Sequence, residues 1–325
     1  MTAELAVELS DLNGWATQVS RAGKDAQAIG QFARNVSDGD FGAILELITA
    51  AYEGMIPSFH GVLDVDGDRL TATSAALQAL KEDYRETDSR VAQEFGSGAA
   101  ITDDGGADGF SDVASAVPSA PSPGGAELPE VSFGAIFDTV CDVIAWIGGP
   151  DPREYVTRWI VGDMGKAGMH ASSWEAASEA LKAVERNLAS GAAAIGKTWQ
   201  GQAATASAAQ IDQWVAALGE QAAGMSQVGR HMVDMISQAL DMAQVVVDII
   251  KTVISMVSAA LAGASIPIFG QAKLIKTVKD AIVLINNARK VITVFWNALV
   301  MIKDAFDMVV SAFGVEKLPP APSTP

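Results

Sequence analysis

Apolar residues recur at spacings of three and four along most of this chain, and no stretch alternates with the period-two rhythm of a strand. Leu5, Leu9, Leu12, Trp15, Val19, Ala22, Ala26 and Ile29 predict a first helix over 3–36, closed by Ser37-Asp38-Gly39-Asp40. A second helical segment follows over 41–60, with Pro57 near its end. Asp64-Val65-Asp66-Gly67-Asp68 then reads as an acidic turn that caps a third helix over about 68–95. The pattern returns as a short apolar helix over 131–147 and a long one over 172–197 that Ser172 or Ser173 would cap. Between these two, Asp151 is placed to cap a helix that opens on Pro152. Helices over about 202–262 and 271–313 complete the set. The expected fold is all-α: an elongated helical bundle of long antiparallel hairpins with a disordered linker.

Composition adds the boundaries. Gly, Ser, Ala, Pro and Asp crowd residues 96–130, which reads as a flexible linker too poor in apolar side chains to offset ordering entropy. The expected division is a helical module over 1–95, the linker over 96–130, a helical hairpin over 131–225, an apolar amphipathic hairpin over 226–316 and a Pro-rich tail over 317–325.

Charge narrows the functional classes. The net charge of −17 falls almost wholly on residues 1–130, which carry a balance of −15. Phosphate backbones would be repelled, so nucleic acid is not an expected partner. The exception is a basic stripe on the last helix, Lys273, Lys276, Lys279, Arg289 and Lys290. It is a solvated face or a contact for anionic lipid or an acidic partner.

Residues 252–272 are uncharged over a length that could cross a bilayer. Gly263, Pro267 and Gly270 place a turn inside that run, and Asp234, Asp241 and Asp248 recur every seven residues on one face. This is the pattern of an amphipathic hairpin that forms a bundle core or a subunit interface, with membrane insertion as the alternative.

Little points to catalysis. His60, His170 and His231 lie far apart without metal-ligand spacing, and Cys141 is the single cysteine. The Asp64–Asp68 run lacks a calcium loop's bidentate Glu, because Ala75 occupies that place. No catalytic residue, metal site or cofactor is expected, and the chain is read as a non-enzyme.

Two short motifs carry the functional reading. Tyr84 and Asp88 stand four residues apart on one helix face, within an acidic run that includes Glu82, Asp83, Glu86 and Glu94. Trp199-Gln200-Gly201 separates two long Ala-rich helices, as a tight helical hairpin turn would. Tyr84-x-x-x-Asp88 matches the YxxxD/E export signal, and Trp199-x-Gly201 the WxG turn, of type VII (ESX) secretion substrates. The chain resembles a PE-like module (1–95) fused to a WXG100/PPE-like one (131–313).

That resemblance implies that the two modules pack together and that the WxG turn lies beside the YxxxD end. Tyr84, Asp88, Trp199 and Gly201 would then form a composite export signal. It further implies an actinobacterial, secreted or cell-surface, virulence-associated structural or effector protein, exported without a Sec signal peptide. The implied partners are the secretion ATPase, a secretion chaperone, further copies of the chain as a homo-oligomer, and anionic membrane. A membrane-binding or pore-forming effector that uses the 226–316 hairpin is the alternative. The sequence departs from a free-standing WXG100 protein because no tyrosine follows Tyr155.

Overall fold

A computed structural model describes residues 7–34, 36–94, 107–122, 127–129, 136–156, 160–263 and 269–322. The protein is an all-α helical bundle. In chain order its helices are α1 (Leu9–Arg34), α2 (Glu46–Glu94), α3 (Phe137–Trp146), α4 (Arg153–Val156), α5 (Met164–Ile195), α6 (Gln202–Gly263) and α7 (Phe269–Ala312). The Ser265–Gly270 turn expected between the last two helices falls mostly outside the described residues.

Helices α1 and α2 form an antiparallel hairpin. The Ser74 hydroxyl donates to the Ala16 carbonyl at 2.7 Å, and Arg34 pairs with Asp64 at 3.0 Å. A Cβ on Gly23 would stand 2.9 Å from the Gly67 carbonyl oxygen, so these two helices approach closely there. Helices α5 and α6 form a second antiparallel hairpin, tied by the Ser178 hydroxyl to the Ala222 carbonyl at 2.7 Å. Helix α7 returns along α6, where Phe313 occupies the space that Gly224 leaves.

The hairpins share one core. Trp15, Tyr52, Phe59, Trp174, Trp214 and Phe306 are all fully buried in the same cluster. The Tyr52 hydroxyl lies 2.9 Å from both the Val36 carbonyl and His170 Nδ1, and it accepts from Trp174 Nε1 at 3.0 Å. Burial pushes the Tyr52 phenol well above its ordinary range. Burial, with Lys166 nearby, pushes His170 down to about 4. His170 is therefore a neutral structural group that locks α2 to α5.

Three expectations are corrected. The second and third predicted helices are one, α2, which runs through Pro57 and through Asp64–Asp68 without a break. The residues that looked like a turn serve packing instead: Asp64 pairs with Arg34, Asp68 accepts from Gln27 at 3.2 Å, and Asp66 is buried. The long helix before Trp199 starts nine residues earlier than the Ser172 cap would place it. Its N-cap is Asp163, which accepts from the Lys166 backbone N–H at 2.7 Å.

The third correction concerns the linker. Residues 107–122 lie as a strap across α1 and α5. Phe110 is buried against Trp15, Arg21 pairs with Asp112 at 3.1 Å, and Asn187 accepts from Val113 and Ala114 and donates to the Ala114 carbonyl. One aromatic and a few backbone hydrogen bonds suffice to seat a chain that composition alone marks as loose. The expected cap of Asp151 on the Arg153 N–H is present at 2.9 Å.

Among the described residues Asp66 is the one fully buried carboxyl, and it accepts from Gln221 Nε2 at 3.3 Å. Burial raises its pKa to about 7, with the Gln221 bond and Arg69 opposing. A raised folded-state pKa gives stability that is complete below the unfolded value near 4 and is lost as pH rises through 7. Denaturant titrations should show stability falling between pH 4 and pH 7. Asp66→Asn should flatten that slope and stabilise the protein at pH 8 by on the order of a few kcal/mol.

Candidate functional site

One end of the bundle gathers the start of α1, the end of α2 and the turn between α5 and α6. Helix α5 ends at Ile195, and the Trp199 N–H donates back to the Ile195 carbonyl at 2.9 Å. Gly201 has φ +112, a conformation that side chains with a Cβ rarely adopt, so the glycine of the tripeptide is required by the turn itself. Thr205 then bonds back to the Gly201 carbonyl at 3.1 Å and opens α6.

The indole of Trp199 is 3% exposed and belongs to the main core. Gln200 beside it faces solvent. The Thr198 hydroxyl donates to Asp11 at 2.8 Å, which ties the turn to the first turn of α1. Tyr84 is half-buried, its ring packed against the core, while Asp88 one turn later is exposed.

Two cavities meet at this turn. One of about 320 Å³ lies between the end of α5 and the start of α6, lined by Trp15, Ile195, Trp199, Ala204, Ala208 and Ile211 among others. Its walls are largely apolar. The indole N–H groups of Trp15 and Trp199 have no hydrogen-bond partner among the described residues. The other, about 510 Å³, is an open pocket lined by Val7, Glu8, Tyr84, Asp88, Lys197, Thr198 and Gln200. Gln200 borders both.

Tyr84 and Asp88 therefore share a pocket with residues of the Trp199 turn, although more than a hundred positions separate them in sequence. Helix antiparallelism produces this: α1 against α2, and α1 against α5, bring the chain start, the α2 end and the α5–α6 turn to one level. The pocket carries carboxylates from Glu8 and Asp88 and one ammonium from Lys197, beside the half-buried Tyr84 ring. Such a surface suits recognition of a polypeptide with apolar and charged side chains. Val7, Glu8 and Lys197 escaped the sequence reading, since no local motif marks them. Only the antiparallel pairing of helices indicates that they converge.

The basic stripe is elsewhere. Lys273, Lys276, Lys279, Arg289 and Lys290 are all exposed on α7, along the part of the α6–α7 hairpin that carries α3. Trp146 of α3 is 79% exposed at that end. Among the described residues, no group of three His, Cys, Asp or Glu side chains could hold a metal ion. Cys141 is buried, and burial raises its thiol to about 12.

No protein-family model matches the chain, and no curated protein or solved structure matches it either.

Trp199→Ala should cost about 3–5 kcal/mol in denaturant unfolding, because it removes a buried indole from the core. Gln200→Ala should change stability by less than about 0.5 kcal/mol, as an exposed side chain does.

Proposed function

We propose that this chain is a substrate of a type VII (ESX) secretion system, exported by a composite signal made of Tyr84, Asp88 and the Trp199–Gly201 turn. One observation carries the reading: Tyr84 and Asp88 line a pocket at one end of the bundle together with Lys197, Thr198 and Gln200 of the Trp199 turn. In a resemblance built on motifs of two fixed residues each, that convergence adds support which neither motif supplies alone. Tyr84 offers a phenol anchored by its packed ring, Asp88 a solvated carboxylate, and Trp199 with Gly201 the rigid turn that holds Lys197, Thr198 and Gln200 against them. The secretion ATPase, with or without a chaperone, is the proposed reader. Outside the cytoplasm the protein acts as a non-enzymatic structural or effector protein.

A second reading has its own support. Trp146, Lys273, Lys276 and Lys279 are exposed at the far end of the α6–α7 hairpin. Helix α6 is long and apolar enough to cross a membrane by length and composition, and only 33% of its most apolar window is buried. This end would engage an anionic membrane after export. Dye release from anionic vesicles, abolished by Trp146→Ala with Lys273→Glu and Lys276→Glu, is the result this reading expects.

For the export reading, Tyr84→Ala and Asp88→Ala should each reduce secretion of the tagged protein at least about tenfold in a host with the system, as loss of an interface anchor does. Thermal stability should be nearly unchanged for Asp88→Ala, which is exposed. Undiminished secretion of both variants would remove the assignment.

A further inference from the structure

Helix α7 carries two apolar seams, and the bundle uses only one. From Ala281 to Val309, buried residues recur at alternating spacings of four and three, facing α6 and α2. A second series runs beside it: Val291, Val294, Ala298, Met301, Ala305 and Met308, with spacings of three and four throughout. Three of its larger members are in the open, Val294 at 68%, Met301 at 73% and Met308 at 67% exposure. Val291, Ala298 and Ala305 are half-buried on the shoulder of the first seam. An unfilled heptad seam of this regularity is a surface shaped for another helix.

The charges along its rim select the partner. Lys290, Asn297 and Asp304 follow one another at seven-residue spacing on the outer edge of the seam, and all three are exposed. Lys290 and Asp304 stand at equal distances on either side of Asn297. An antiparallel second copy of α7, with its two-fold axis beside Asn297, sets Lys290 against the partner subunit's Asp304 twice over. The same register packs Ala298 against the partner's Val294, and Val291 against the partner's Met301, so that small and large side chains alternate across the seam. A parallel copy would bring Lys290 level with Lys290 and Asp304 level with Asp304. An anionic membrane would repel Asp304 and the neighbouring exposed Asp307.

We propose that the exposed seam of α7 from Val291 to Met308 is a homodimer interface, in which α7 of a second copy docks antiparallel about an axis at Asn297. The contact is isologous, as a two-fold dimer requires. It lies away from the Trp199 end, so both copies keep that end free. The inference does not depend on the export reading.

Sedimentation equilibrium of the full chain, together with disulfide trapping, tests this. The wild-type chain should dimerise with rising concentration. Asn297→Cys should give a disulfide-linked dimer on mild oxidation, whereas Gln200→Cys, exposed at the Trp199 end that the dimer leaves free, should not. Lys290→Asp and Asp304→Lys alone should each raise the dimer dissociation constant about tenfold, and the double variant should return it to within about threefold of wild type. Circular dichroism should be unchanged in all of them. A chain that stays monomeric at every concentration, equal trapping at both cysteine positions, or a double variant that does not recover would overturn the proposal. So would vesicle binding that Met301→Lys abolishes in a chain that does not dimerise.

Discussion

Trp15 on Gly191 is the contact on which the rest of the structure depends. Helix α1 can lie flat along α5 because Gly191 has no Cβ; one added there would collide with the Trp15 ring and the Gln18 amide. The indole is 1% exposed, and the strap residue Phe110 leans on its other side at 6.5 Å between ring centres. This seat fixes α1 of the N-terminal hairpin against α5. Its height along α5 then decides which residues of α1 and α2 arrive beside the Trp199 turn. A slip of one helical turn, about 5.4 Å, would separate Tyr84 from Lys197 and Gln200.

Polar groups inside the bundle restrict such slips. Tyr52, His170 and Trp174 form a hydrogen-bonded set between α2 and α5, and Asp66 with Gln221 forms another between α2 and α6. Apolar helix faces tolerate sliding, because one leucine packs much like the next. A buried hydroxyl or carboxyl does not, since a shift would strand it without a partner. The two sets lie on different helix pairs, so together they restrain α2 against both α5 and α6. The order at the candidate site, more than a turn from either set, follows from that rigidity.

Much of this architecture is legible in the sequence, and the exceptions have physical causes. Helices α6 and α7 follow directly from their apolar spacing, and the Trp199 turn from its glycine, whose positive φ bears out the need for that residue. The Asp64–Asp68 run misleads because aspartate and glycine are turn formers when solvated. Here Gly67 is a contact point for α1 and each aspartate has a partner on a neighbouring helix or, for Asp66, a place in the core. The cap of α5, Asp163, lies among residues without apolar periodicity, whereas Ser172 and Ser173 sit where that periodicity becomes clear. The strap over 107–122 was invisible for a different reason. Its seat is made by Arg21, Trp15 and Asn187, which are distant in sequence. Of the candidate site, the two motifs were legible and Val7, Glu8 and Lys197 were not, because only the pairing of helices assembles them.

The central claim is that the end of α2 and the α5–α6 turn form one surface in the folded protein. Spin labels on cysteines placed at Asp88 and Gln200, both exposed, measure that separation directly by pulsed dipolar spectroscopy in solution. A single narrow distribution at short distance, with both labels over the same pocket, is the predicted result. A separation approaching the length of α2, roughly 70 Å at 1.5 Å per residue, or a broad distribution without a short component, would contradict it.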